Sequence, residues 1–275
     1  MPSTLNQPSQ PLVDCHFHSR FSGDSQAPLE AMCRQALRLG FSYVCPTEHA
    51  DFHPPDPCYG RLDMVTYSRA LAACRQKFAG QMVVLQGIEV DYQSRYDGAV
   101  RAFLAQHSID FAIGSTHYAD GHFVVDALLE AYDADTAYRR YFQAVRETAA
   151  SGLFDVLGHL DLLKRYGIPR WGSYSRRPYV DDIEAILQAA VGSGAGLEIN
   201  TSGLRQAPAE TFPDLHTLRR YRELGGEIVT LGSDAHQPAH VGQHIRQGLA
   251  LAQAAGFKAI AVFIERTPHW LDIKD

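Results

Sequence analysis

No stretch of the 275 residues approaches the roughly 20 consecutive apolar residues that a membrane-spanning helix needs. The polar, proline-containing start lacks the basic residues and apolar run of a secretory signal. Residues 1–10 are therefore expected to be a disordered lead-in, and the protein to be cytoplasmic with no membrane partner. Cysteine is sparse: Cys15, Cys33, Cys45, Cys58 and Cys74 are an odd number, and no two form a CxxC pair. That argues against a disulfide framework and for reduced, buried thiols. Basic residues are outnumbered, 25 against 31 acidic ones, for a net charge of −6. The longest basic runs are only pairs, such as Arg139-Arg140, Arg176-Arg177 and Arg219-Arg220. Nothing here resembles the basic footprint of a nucleic-acid surface, so none is expected as partner.

Two further absences bear on the fold. A doubly wound open sheet normally carries a glycine-rich phosphate loop after its first strand. Here Ser22-Gly23-Asp24 offers a single glycine. No internal repeat, low-complexity tract or linker marks a boundary. Residues 11–275 are read as one domain.

Short apolar runs alternate with longer amphipathic stretches along the chain. Strands are expected at 11–17, 42–47, 82–90, 111–115, 154–158, 196–200, 227–231 and 259–264. Helices are expected at 28–39, 63–78, 100–107, 135–151, 180–192, 214–224 and 239–255. Leu29, Met32, Cys33, Ala36 and Leu37 show the three-to-four spacing of a buried helix face. Val83-Val84-Leu85 and Ile228-Val229-Thr230-Leu231 read as strands covered on both faces. Such alternation over this length favours a parallel (β/α) barrel. Segments 53–58 and 166–178 are expected as long loops.

Histidine is the excess. There are 13, about twice ordinary usage, and their positions matter more than their number. In Asp14-Cys15-His16-Phe17-His18, a strand aims His16 and His18 to one side. Two imidazoles on one point suit a divalent transition metal. Other expected strand ends carry Thr47-Glu48-His49, Gly87-Ile88-Glu89, Ser115-Thr116-His117 and Gly158-His159-Leu160-Asp161. Gly232-Ser233-Asp234-Ala235-His236 repeats the i, i+2 spacing. These imidazoles and acids are expected to converge at the carboxyl ends of the strands, where barrel active sites lie. His53, His107, His122, His216, His240, His244 and His269 read as surface or structural residues, with His53 and His122 in loops near the expected pocket.

Together these motifs, with Ser22-Gly23-Asp24 and the run Glu198-Ile199-Asn200-Thr201-Ser202-Gly203-Leu204-Arg205, resemble the polymerase and histidinol phosphatase (PHP) superfamily, in particular its histidinol-phosphatase branch. The resemblance covers residues 14 to about 266. It implies a distorted (β/α)₇ TIM-like barrel with three divalent metal ions: zinc, manganese or iron. By that resemblance His16, His18, Glu89 and Asp234 would hold one ion, and Glu89, His117 and His159 a second. Asp24, His49 and His236 would hold the third, with Asp24 standing where some relatives place histidine. The substrate it implies is a small phosphate ester, L-histidinol phosphate.

Clustered cations would offset the charge repulsion that protects a phosphate monoester. Arg165 and Arg205 are the candidates to grip phosphoryl oxygens, since guanidinium binds phosphate through a fork. Asp161 is the candidate general acid. Glu48, with Asp51 and Asp56, is the candidate to meet the cationic head of the substrate. Other readings are a related phosphoesterase acting on nucleotides or phosphotyrosine, and a metal-binding module without turnover. A metal amidohydrolase is disfavoured by the lack of a strand-end bridging lysine. The oligomeric state has no sequence signal.

Overall fold

Parallel strand pairing dominates the structure, a computed structural model that describes residues 12–274. The expected lead-in, residues 1–10, lies outside the described residues. In chain order the strands are β1 (Val13–Asp14), β2 (Tyr43–Val44), β3 (Thr47–His49), β4 (Val83–Val84), β5 (Gly87–Asp91), β6 (Phe111–Ser115), β7 (Tyr118–Ala119), β8 (His122–Phe123), β9 (Val156–Leu157), β10 (Gly196–Asn200), β11 (Val229–Gly232), β12 (Ala259–Ile264) and β13 (Thr267–Asp272). The helices are α1 (Leu29–Arg38), α2 (Met64–Lys77), α3 (Asp97–Gln106), α4 (Ala127–Ala131), α5 (Ala134–Ala150), α6 (Leu163–Trp171), α7 (Val180–Ser193), α8 (Leu215–Glu223) and α9 (Ile245–Ala254).

One parallel sheet has the order β1-β2-β4 and a larger one β11-β10-β9-β6-β5-β3. The two are halves of one barrel. β2 resumes as β3 after Cys45-Pro46, because Pro46 has no N–H to give a ladder. β4 resumes as β5 after Leu85-Gln86. Residues 15–18, running on from β1, then bond to both edges of the larger sheet. Cys15 N–H donates to Leu231 O at 2.8 Å and His18 N–H to Ala235 O at 2.8 Å, while Thr47 N–H donates to Phe17 O at 2.9 Å. This closes a distorted parallel barrel of the (β/α)₇ kind.

The helices cover the barrel with the faces their spacing dictates. Leu29, Met32, Cys33 and Ala36 of α1 are buried, at i, i+3 and i+4. Asp63, Asp133 and Asp214 cap α2, α5 and α8, each accepting a backbone N–H of the first turn. All five cysteines are free and buried. No helix among the described residues is long and apolar enough to cross a membrane.

Two expectations need correction. Segment 166–178 is not all loop, since α6 runs to Trp171 with Pro169 inside it. Pro169 forfeits one helical hydrogen bond, and Gly167 compensates by letting α5 come close. A Cβ on Gly167 would lie 2.4 Å from the Tyr138 hydroxyl oxygen. The eighth expected strand, β12, stands outside the barrel and pairs antiparallel with β13, from Ala259↔Asp272 to Ile264↔Thr267. Glu265 and Arg266 turn the hairpin with φ of +51° and +63°, the pattern of a type I′ turn. With residues 15–18 already bonded beside β11, no parallel place remains for β12.

Candidate metal centre

Asp14 sets the register of the site. Its Oδ1 accepts the Ser233 N–H at 2.9 Å, and its Oδ2 accepts the Ser233 hydroxyl at 2.6 Å and the Gly242 N–H at 2.9 Å. Asp234 N–H donates to His16 O at 2.7 Å. The chain after β1 and the chain after β11 are thus pinned side by side. Their i, i+2 pairs, His16 with His18 and Asp234 with His236, face one another. Asp234 Oδ1 lies 3.6 Å from His18 Nε2 and 3.9 Å from His16 Nε2.

Glu89, 1 % exposed, is the hub. Its Oε1 receives the Ser115 hydroxyl at 2.5 Å and lies 2.8 Å from His159 Nε2 and 3.6 Å from His117 Nε2. Its Oε2 lies 3.3 Å from His18 Nε2, 3.4 Å from His16 Nε2 and 3.3 Å from His49 Nδ1. Beyond them, Asp24 Oδ2 sits 2.9 Å from His236 Nε2 and 3.4 Å from His49 Nε2. All three ligand groups implied by the resemblance are therefore brought together, and Glu89 touches a member of each. His18 also joins Asp24, His49 and His236 as a fourth donor.

The donors' own partners show that this pocket calls for positive charge. His16 Nδ1 is 2.6 Å from Glu198 Oε1 and donates to it, so its Nε2 is the nitrogen aimed into the pocket. The Ser22 hydroxyl gives its one proton to Glu48 Oε2 at 2.6 Å, so it accepts from His18 Nδ1 at 2.9 Å. His18 Nε2 is aimed there as well. These two Nε2 atoms are 3.1 Å apart, and lone pairs so close repel unless a cation or a proton lies against them. His49 Nδ1 and His159 Nδ1 are buried without a hydrogen-bond partner.

The charges agree with this. Burial, then the neighbouring His49 and His236, hold His18 well below the ordinary imidazole range. Burial pushes His117 down to about 3. Both are neutral, as a ligand must be. Burial opposes charge on Glu89, Asp24 and Asp234, but the surrounding histidines outweigh it and hold each below the ordinary carboxylate range. Burial also opposes charge on His16, yet Glu198, Glu89 and Asp234 raise it well above its usual value, and His49, His159 and His236 are raised likewise by their carboxylate neighbours, so protons answer the same call for positive charge. Mixed imidazole and carboxylate donors suit zinc, manganese or iron, so the residues present fit divalent ions.

A cavity of about 170 Å³ opens beside this cluster. Arg165 lines it, as do Asp51, Asp56, Cys58 and Tyr166. Arg205 stands behind Asp234, donating from Nη2 to Ser233 O at 2.8 Å and leaving Nη1 buried without a partner. Burial first, then the like charge of Arg165, lower the pKa of Arg205 against the pull of Asp234 and Asp14.

Three expected catalytic or substrate-binding residues do not line the cavity: Arg205, Glu48 and Asp161. Glu48 is fully buried; its oxygens take the Ser19 N–H, the Ser19 hydroxyl and the Ser22 hydroxyl at 3.0, 2.5 and 2.6 Å. It braces His18 through Ser22 and has nothing left for substrate. Asp161 is 4 % exposed, and its Oδ2 is held by Lys164 Nζ at 2.7 Å. Burial pushes its carboxyl up to about 6 against the pull of Lys164, so it holds a proton more readily than a free carboxylate, though away from the cavity wall. Conversely, Glu198 and Asp91 were not expected at the site. Glu198 also accepts the His159 N–H at 2.8 Å, and Asp91 accepts the His117 N–H at 2.6 Å. Glu198 is an acid alternating with Asn200 along a buried strand, which was a readable signal.

Comparison with known proteins accords with this geometry. The family described as PHP domain matches residues 14–202. A probable histidinol-phosphatase of Deinococcus radiodurans is 33% identical over 242 residues, covering 84% of this chain and 88% of the relative. The histidinol-phosphatase of Lactococcus lactis is 28% identical over 262 residues, covering 91% and 94%. The crystal structure of histidinol phosphate phosphatase from Lactococcus lactis, complexed with zinc, L-histidinol and phosphate, matches with a TM-score of 0.87 at 27% identity, covering 94% of this chain and 98% of that one.

Proposed function

Because the chain belongs to the PHP domain family, we propose that it is a metal-dependent phosphomonoesterase that hydrolyses L-histidinol phosphate to L-histidinol and phosphate in histidine biosynthesis. The observation that carries this reading is the convergence of three donor groups beside a cavity with an arginine on its wall. Three divalent ions are assigned: one to His16, His18, Glu89 and Asp234, one to Glu89, His117 and His159, one to Asp24, His49 and His236. Zinc is the ion in the Lactococcus lactis complex. Bound there, such ions supply positive charge to phosphoryl oxygens and lower the pKa of water.

The chain's own groups do the rest. Glu198 and the Ser22–Glu48 pair fix the tautomers of His16 and His18. Arg165 and the free Nη1 of Arg205 hold phosphoryl oxygens as charge shifts during attack. Asp51 and Asp56, nearly buried on the cavity wall, face the ammonium and imidazole of the substrate. Ligands run along the chain from His16 after β1 to His236 after β11, so residues 11–275 act as one catalytic unit. The enzyme is proposed to be cytoplasmic, which a small biosynthetic substrate supports.

The test is phosphate release from histidinol phosphate, simple alkyl phosphates and a nucleotide panel, before and after chelation. Histidinol phosphate should lead in kcat/KM by about 100-fold, or roughly 2.7 kcal/mol of transition-state binding. Chelation should abolish turnover and zinc should restore it. Full activity without bound metal, or equal turnover of alkyl phosphates, would refute the proposal.

A further inference from the structure

Lys164 is 1 % exposed, and a lysine ammonium is rarely buried unless it is paired. Its Nζ lies 2.7 Å from Asp161 Oδ2 and 2.6 Å from Glu210 Oε1, with the rings of Tyr174 and Phe212 each 5.6 Å away. Asp161 is a local partner, three residues back in the same turn. Glu210 is not local. It belongs to the loop between β10 and α8, whose short 3₁₀ turn Ser202–Arg205 ends on Arg205. That turn packs hard against Glu210: a Cβ on Gly203 would lie 2.2 Å from the Glu210 carbonyl oxygen. Phe212 ties the same loop to β10 by exchanging backbone hydrogen bonds with Asn200 at 2.8 and 2.9 Å. Lys164, meanwhile, immediately precedes Arg165.

We infer that Lys164 and Glu210 are a positioning pair that fastens the loop bearing Arg205 to the helix bearing Arg165, and so sets the spacing of the two guanidiniums. The inference rests on the phosphate-binding role proposed above for those arginines. Neither member touches substrate. Their ion pair spans the two segments, while Asp161 keeps the ammonium charged and oriented from its own side.

Removing Lys164 would strand the buried carboxylate of Asp161, so Glu210, with its side chain 43 % exposed, carries the test. The zinc-loaded enzyme is assayed for KM toward histidinol phosphate, for kcat and for competitive inhibition by inorganic phosphate. The variants are Glu210→Ala, Glu210→Gln, Arg205→Ala and Glu210→Ala with Arg205→Ala. Glu210→Ala should raise KM and the phosphate inhibition constant about fivefold, with kcat changed less than twofold and zinc content intact. Glu210→Gln, which keeps an oxygen for the ammonium, should recover most of that loss. In the Arg205→Ala background, Glu210→Ala should add almost nothing, because its effect runs through Arg205. A silent Glu210→Ala, or the same fivefold loss in both backgrounds, overturns the positioning pair alone. An Arg205→Ala enzyme with wild-type phosphate inhibition overturns the phosphate reading itself and the pair with it.

Discussion

Glu198 offers the sharpest test of how the site is built. Its Oε1 accepts from His16 Nδ1 at 2.6 Å, and its Oε2 accepts the His159 N–H at 2.8 Å and the Asn200 amide at 3.1 Å. All of these partners are donors. Glu198→Gln leaves one acceptor oxygen in their midst. If that oxygen stays with His159 and Asn200, the new amide faces His16 Nδ1 and drives the imidazole proton round to Nε2, where the ion should bind. If it turns to His16, a donor meets the His159 N–H. Losing such an outer partner typically weakens metal binding about 10- to 100-fold, or roughly 1.4–2.7 kcal/mol. Activity titrated with zinc after dialysis should therefore half-saturate at a concentration higher by that factor, with most of kcat regained at excess zinc. Gly232→Ala should behave alike with Glu198 unsubstituted, because a Cβ there would lie 2.2 Å from Glu198 Oε1 and 2.4 Å from His16 Cβ, crowding both members of the pair. Unchanged zinc half-saturation in Glu198→Gln would refute the tautomer argument.

Two further substitutions separate site contact from support. Asp161→Ala removes one partner of the buried Lys164 ammonium and should lower stability by about 3 kcal/mol, read as a reduced urea midpoint, while the pH–rate profile keeps its shape. Loss of one limb of that profile at unchanged stability would return Asp161 to the general-acid role. Glu48→Gln should weaken zinc binding through Ser22 and His18 and leave KM for histidinol phosphate unaltered at saturating zinc. A changed substrate preference with normal zinc affinity would instead place Glu48 against the substrate.

The ligand set was legible because strand geometry is local. His16 with His18 and Asp234 with His236 needed only the two-residue period and the end of a strand. The pairing of those two segments was not local. It depends on Asp14, whose bonds to Ser233 and Gly242 span more than 200 residues. The hairpin of β12 and β13 was half legible. Its apolar strand announced itself, but the partner, Thr267–Asp272, is exposed or half-buried throughout, and its apolar Trp270 and Leu271 stand side by side without the two-residue period of a strand.

Glu48 and Asp161 show where the same period helps and where it stops. In β3, Thr47 and His49 share one face, so Glu48 must point to the other. With His49 facing the ions, strand geometry alone directs Glu48 away from them, toward Ser19 and Ser22. Asp161 stands two residues after His159, but β9 ends at Leu157 and the chain is already turning into α6. There the relevant neighbour is three residues along a helical turn, which is Lys164 and not His159. An i, i+2 inference is therefore sound only while the backbone remains extended. The sequence gives no sign of that limit, because Gly158-His159-Leu160-Asp161 reads as readily as strand as it does as turn.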